Sequence, residues 1–125
     1  MNAGKVLVVD DEPEVRQVLV EFLSSRGYDV IAAEGGAEAV AIVETARPDL
    51  VLLDVAMPDM DGVETLTRIV AIDPSLAVIM VTANADIGVT SKLLALGAVD
   101  YVPKPFDLDY LDQAVSIQVT AAQER

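Results

Sequence analysis

Apolar runs and helical repeats alternate along this chain. Lys5 to Val9 is a short apolar run that ends in Asp10-Asp11-Glu12. Pro13 suits the first turn of a helix, and Asp11 or Glu12 would cap that helix or complement its dipole. Val15, Val18, Leu19, Phe22 and Leu23 then recur at helical spacing, and Gly27 stands where the helix ends. Tyr28 to Ala33 predicts a second strand, and Ala39, Val40 and Val43 a second helix running to about Ala46. Leu50 to Leu53 predicts a third strand, and Val63, Leu66, Ile69 and Val70 a third helix. Leu76 to Val81 is a fourth strand ending at Thr82. A fourth helix from about Asp86 is only weakly marked, because Gly88, Val89 and Thr90 are poor helix formers. Val99 to Val102 is a fifth strand closed by Pro103-Lys104-Pro105. A last helix buries Leu108, Leu111, Val115 and Val119, and Thr120 to Arg125 reads as a polar tail or the start of a linker.

Strand and helix therefore alternate five times with short connections, the pattern of an α/β fold with a parallel sheet covered on both faces. Leu50 to Leu53 has no polar alternation, so both of its faces are expected to be buried, as in a central strand. A single domain over residues 1–125, with a core at about 4–119, fits the chain's length of 125 residues.

In a parallel sheet the carboxyl ends of the strands share one edge, where ligands gather. The first strand delivers Asp10 and Asp11 there, the third Asp54, the fourth Thr82 and the fifth Lys104. Taken singly, Asp54 reads as a turn or capping residue, Asp10 and Asp11 as helix caps, Thr82 as structural and Lys104 as a solvated turn residue. Together they make a constellation. Three carboxylates in one cleft repel one another unless a cation intervenes, and an all-oxygen set suits Mg²⁺ far better than Zn²⁺. Lys104 adds a fixed positive charge and Thr82 a hydroxyl donor. A carboxylate nucleophile, Mg²⁺, a lysine and a hydroxyl suit phosphoryl transfer, with Asp54 forming an acyl phosphate.

The net charge of −13, from 8 Lys plus Arg against 21 Asp plus Glu, argues against direct nucleic-acid binding and for a divalent cation or a basic partner. The absence of cysteine excludes a disulfide framework and a thiolate metal site. The longest uncharged stretch, around the fourth strand, is far too short to span a bilayer, and no signal-peptide pattern opens the chain. These features predict a cytoplasmic protein.

The segments VLVVDDEP (Val6 to Pro13), LVLLDVAMPDMDG (Leu50 to Gly62), VIMVTA (Val78 to Ala83) and LGAVDYVPKPF (Leu96 to Phe106), in that order and spacing, resemble the receiver domain of two-component response regulators. The resemblance implies a flavodoxin-like, doubly wound five-stranded sheet in the order 2-1-3-4-5 with five helices. It implies that Asp54 accepts a phosphoryl group from a partner kinase's phosphohistidine. Asp11 resembles a direct Mg²⁺ ligand beside Asp54, Asp10 an acidic partner acting through water, and the backbone carbonyl of Ala56 a further ligand. Mn²⁺ is the expected substitute ion. Thr82 is similar to the family's switch hydroxyl, Tyr101 to its switch aromatic, Lys104 to its phosphoryl-pairing lysine, and Lys104-Pro105 to its cis peptide.

Ala56 and Asn84 bring no charge to the attacking water in the family's dephosphorylation. The entry to the fourth helix departs from the family's Ala-rich pattern. The implied function is a phosphorylation-controlled switch that catalyses its own phosphorylation and dephosphorylation and turns over no external metabolite. It would reshape the face of helix four, strand five and helix five. The implied partners are a histidine kinase or phosphotransfer protein and a downstream effector or linked output domain, with the chain a monomer or a phosphorylation-promoted dimer. Rival readings fit less well. A flavodoxin-like small-molecule binder needs a phosphate loop where Asp10-Asp11-Glu12 stands. An aspartyl phosphatase needs a second carboxylate at Ala56. A degenerate receiver acting only as an interaction module requires inactivity despite an intact set of groups.

Overall fold

The computed structural model describes residues 4–55, 61–83, 87–105 and 107–124. They form β1 (Lys5–Val9), α1 (Pro13–Ser25), β2 (Asp29–Ala33), α2 (Gly36–Ala46), β3 (Leu50–Asp54), α3 (Gly62–Ile72), β4 (Ala77–Thr82), α4 (Ile87–Ala95), β5 (Asp100–Pro103) and α5 (Leu108–Gln123). The strands make one sheet in the order β2-β1-β3-β4-β5, and each of its four pairings is parallel. None of the described helices is long and apolar enough to cross a membrane.

Strand side chains alternate between the two faces of a sheet, and here both faces are covered. Leu7, Val9, Val51, Leu53, Val78 and Met80 pack with Ala39 and Val43 of α2, Leu66 and Ile69 of α3 and Leu93 of α4. Val6, Val8, Leu50, Leu52, Ile79 and Val81 pack with Leu19 and Leu23 of α1 and with Leu111, Ala114, Val115 and Val119 of α5. Every residue of β3 and β4 is buried, so the central apolar runs need no polar face.

Several local expectations shift. In α1 only Leu19 and Leu23 are fully buried, whereas Val18 is 47% exposed, because it lies beside the stripe that meets the sheet. Leu108, expected in the core, is 38% exposed, since the first turn of α5 stands off the sheet and Leu111 is its first buried residue. The helix continues to Gln123 through the segment that reads as a tail. Val119 is buried against the sheet, and Ala121, Ala122 and Gln123 are good helix formers. Glu12 occupies the N-cap position of α1 but makes no side-chain cap hydrogen bond. Its own N–H instead donates to Asp10 Oδ1 at 2.9 Å. Gly27 closes α1 at φ 92°, a left-handed conformation that suits glycine.

Two aspartates cap the helices that follow the loops after β3 and β5. Asp61 accepts from Glu64 N–H at the start of α3, and Asp107 from Asp109 and Tyr110 N–H at the start of α5. Gly62 ties α3 back to β3: its N–H donates to the Val55 carbonyl at 2.7 Å. A Cβ on Gly62 would lie 2.6 Å from Val55 Cα and 2.7 Å from the carbonyl oxygens of Asp54 and Val55. All three contacts are backbone, so relief requires the strand end to move.

Gly62→Ala is therefore expected to destabilise the domain by about 1–3 kcal/mol, the usual cost of overpacking. That outweighs the ~1 kcal/mol that Gly to Ala gains in an unobstructed helix. Urea unfolding measures the difference, and an unchanged or raised midpoint would contradict the close approach.

Candidate functional site

The register of the sheet assembles the site. Val9 pairs with Leu53, so Asp10 and Asp54 leave adjacent strands at the same level. Asp54 pairs with Val81, and Thr82 with Pro103, which places Thr82 and Lys104 one step further along the same edge. Backbone hydrogen bonds carry the ladders past the strand ends: Asp10 N–H to Ala33 O at 3.2 Å, Val55 N–H to Val81 O at 3.1 Å and Lys104 N–H to Thr82 O at 2.8 Å.

Side-chain alternation then divides the residues. Asp10 follows Val6 and Val8, Asp54 follows Leu50 and Leu52, and Lys104 follows Val102, all on the side covered by α1 and α5. Thr82 follows Val78 and Met80 on the opposite side, where half-buried Tyr101 also packs.

One carboxylate oxygen from each of Asp10, Asp11, Glu12 and Asp54 lies within 4.8 Å of the other three. Asp10 is fully buried and Asp54 is 4% exposed, while Asp11 and Glu12 lie nearer the surface. The Lys104 ammonium reaches in from the other side of β3. Its Nζ stands 3.2 Å from Asp10 Oδ2, 3.2 Å from Glu12 Oε1 and 3.5 Å from Asp54 Oδ2. The Lys104–Pro105 peptide bond is cis.

Partial burial alone would lower the Lys104 pKa. The charges of Asp10 and Asp54 and the hydrogen bond to Glu12 outweigh it and hold the ammonium above its ordinary value. A raised lysine pKa contributes stability in full below the unfolded value of roughly 10.4, and that contribution fades as pH rises through the folded pKa. Lys104 therefore stays charged across the neutral range.

The donor set also fits a hard divalent cation. Asp10 Oδ2 is buried, and the Lys104 ammonium 3.2 Å away is its charge partner. That ammonium is shared with Glu12 and Asp54, so four clustered carboxylates leave an excess of negative charge that an oxygen-seeking cation would offset.

The structure thus brings Asp10, Asp11, Asp54 and Lys104 into one cluster, with Thr82 at the neighbouring strand end and Tyr101 on the far side of the sheet. Ala56 and Asn84 lie outside the described residues. Two contributors escaped the sequence reading. Glu12 reads as a helix cap but meets Lys104. Arg16 donates from Nη1 to the Asp10 carbonyl at 2.8 Å. The available signal for Arg16 is its position one turn before Leu19 and two before Leu23, an arginine in register with a buried stripe.

Asp10→Asn is expected to lower the Lys104 pKa, because burial remains while the Asp10 charge that opposes it is removed. A pH titration of the Lys104 side chain by NMR reads this directly, and an unchanged or higher pKa would contradict the cluster's electrostatics.

The response regulator receiver domain family matches residues 6–116. The sporulation initiation phosphotransferase F of Bacillus subtilis is 41% identical over 92% of this chain and 93% of its own length. The chemotaxis protein CheY of Listeria monocytogenes is 39% identical over 89% of this chain and 94% of its own. The DNA-binding transcriptional regulator NtrC of Escherichia coli is 38% identical over the whole of this chain, which spans only 27% of that protein. Among solved structures, the signal receiver domain of a putative LuxO repressor protein from Vibrio parahaemolyticus superposes with a TM-score of 0.91 at 28% identity, covering 98% of this chain and 94% of that one. Strand order, acidic edge and sequence match converge on one conclusion: the chain belongs to the response regulator receiver domains of two-component systems.

Proposed function

We propose that Asp54 is the phosphoacceptor of this receiver and that Lys104 pairs with the incoming phosphoryl group. The observation that carries this reading is the buried Asp54 carboxylate at the end of β3, with the Lys104 ammonium 3.5 Å from its Oδ2. A carboxylate in that position is poised as a nucleophile. Its oxygen attacks the phosphorus of a partner's phosphohistidine, the P–N bond breaks, and the imidazole nitrogen leaves with the electron pair. Negative charge on the phosphoryl oxygens is met by Lys104, already inside the cleft and so requiring little reorganisation. Thr82, at the adjacent strand end, supplies a hydroxyl donor for one of those oxygens.

Asp11 and Asp54 would hold Mg²⁺ or Mn²⁺ directly and Asp10 through water, with the Ala56 carbonyl completing the protein's share. The ion would neutralise charge between the carboxylates and the phosphoryl group. Self-catalysed phosphoryl gain and loss follow from the same groups, since no other catalytic side chain is needed.

Phosphorylation then biases a switch. Placing a phosphoryl group at Asp54 draws Thr82 toward it, which frees the space behind that side chain for Tyr101 on the same side of the sheet. The face formed by α4, β5 and α5 would change accordingly and be read by an effector protein or a linked output domain. The donor is a histidine kinase or phosphotransfer protein. The relative named a phosphotransferase and the relative named a chemotaxis protein support phosphoryl relay and signalling roles of this kind. A cytoplasmic setting and phosphorylation-promoted dimerisation belong to the same reading.

Intact-mass spectrometry after incubation with acetyl phosphate tests the assignment. The expected result is a Mg²⁺-dependent gain of one phosphoryl group by the wild type and none by Asp54→Ala. An equal gain in the variant would overturn the assignment. No gain, repeated with a phosphorylated histidine-kinase domain as donor, would favour a module that acts only through binding.

Mg²⁺ at a hundred times its dissociation constant is expected to stabilise the wild type by about 2.7 kcal/mol. Asp11→Asn should lose most of that gain in thermal unfolding. An undiminished gain in the variant would remove Asp11 from the proposed metal set.

A further inference from the structure

We propose that Arg16 is a positioning residue for the Asp10–Asp11 pair, holding the peptide between them so that both carboxylates meet the divalent cation; this rests on the Mg²⁺ reading above. Arg16 lies on the stripe of α1 that carries Leu19 and Leu23, both buried against the sheet. Its side chain is only 17% exposed. A guanidinium placed there loses much of its hydration and needs compensation. Nη2 faces Glu34 Oε1 at 3.6 Å, but Glu34 is 76% exposed, so that pair contributes little. The main compensation is the 2.8 Å bond from Nη1 to the Asp10 carbonyl.

That carbonyl belongs to the peptide that leads into Asp11. Asp10 is held at four points: its N–H donates to Ala33 O, its Oδ1 accepts from Glu12 N–H, its Oδ2 pairs with the Lys104 ammonium, and its C=O accepts from Arg16. The contacts with Ala33 and Lys104 fix Asp10 alone, and the Glu12 N–H ties its side chain to the peptide that follows Asp11. The Arg16 bond sets the plane of the peptide between Asp10 and Asp11 and hence the direction in which Asp11 leaves β1. Four clustered carboxylates repel one another and push the loop outward. A guanidinium donating to the carbonyl opposes that push from behind, without entering the cleft to compete for the carboxylate oxygens.

Positioning and plain charge predict opposite signs. If Arg16 acted only as a positive charge near the acidic cluster, its removal would make the site more negative and strengthen cation binding. If it positions the pair, its removal weakens binding, as loss of an outer-shell partner does, by about tenfold.

The test is a Mg²⁺ titration of the full chain followed by backbone amide NMR, which reports fold and affinity together. Wild type, Arg16→Met, Arg16→Lys and Glu34→Gln are compared. The expected result for Arg16→Met is a native-like spectrum with Mg²⁺ bound about tenfold more weakly. Its acetyl phosphate labelling rate should return to the wild-type value at saturating Mg²⁺. Glu34→Gln should bind Mg²⁺ as the wild type does, since its carboxylate is exposed. If Arg16→Met fails to fold, Arg16→Lys decides: it keeps the charge but loses the planar fork, and Mg²⁺ binding weaker than the wild type's is expected. Equal or tighter Mg²⁺ binding in the folded Met variant, or in the Lys variant where it must decide, overturns the proposal and leaves the Mg²⁺ reading intact. A labelling rate in Arg16→Met that stays low at saturating Mg²⁺ also overturns it. A wild type that shows no Mg²⁺ response at the cleft overturns both.

Discussion

The Lys104 ammonium lies within 3.5 Å of carboxylate oxygens from Asp10, Glu12 and Asp54, and the acidic edge of this receiver depends on that contact. Asp10 and Asp54 are almost wholly buried. Two buried carboxylates side by side are costly unless a positive charge shares the space. The lysine that supplies it arrives from the end of β5, which β3 and β4 separate from β1 in the sheet. Its backbone is fixed by the Thr82 carbonyl at 2.8 Å, so the ammonium is delivered by the sheet itself and not by a loose loop.

Around that contact the two faces of the sheet divide the residues of the edge. Asp10, Asp54 and Lys104 continue the side-chain alternation that faces α1 and α5. Thr82 and Tyr101 continue the one that faces α2, α3 and α4. The β3 and β4 strand ends form the boundary, since Asp54 pairs with Val81 and Thr82 follows directly. The phosphoryl group proposed for Asp54 would sit at that boundary, within reach of both sides, as a switch that turns a local charge into a change on another surface requires.

Several aspartates outside the site have structural uses. Asp61 and Asp107 cap α3 and α5, and Asp73 accepts from Ser75 in the turn before β4. Asp10 contributes twice, accepting from Glu12 N–H while its other oxygen meets Lys104. The caps follow the functional loops, so the same residue type that forms the cleft also anchors the helices beyond it. Gly62 completes this arrangement by letting α3 start against the backbone of Asp54 and Val55.

Strand and helix alternation, the apolar β3 run and the placement of Asp10, Asp11, Asp54, Thr82 and Lys104 at strand ends were all legible in the sequence. Apolar periodicity sets which residues are buried, and a parallel sheet puts every strand's carboxyl end on one edge. Residue-level contacts were not legible in the same way. Leu108 and Val18 carry apolar side chains at plausible spacing, yet the angle at which α5 and α1 meet the sheet leaves them exposed. Val119 is buried as its spacing predicts, but α5 runs on to Gln123 through residues whose polarity reads as a tail although they are good helix formers. Glu12 and Arg16 belong to the site because α1 starts close against β1, bringing one carboxylate to Lys104 and one guanidinium to the Asp10 carbonyl. Sequence determined the elements, their order and the chemistry brought to the edge, because these follow from period and residue type. Only tertiary structure decided which charges meet, because distances between residues far apart in the chain are set by how helices dock on the finished sheet.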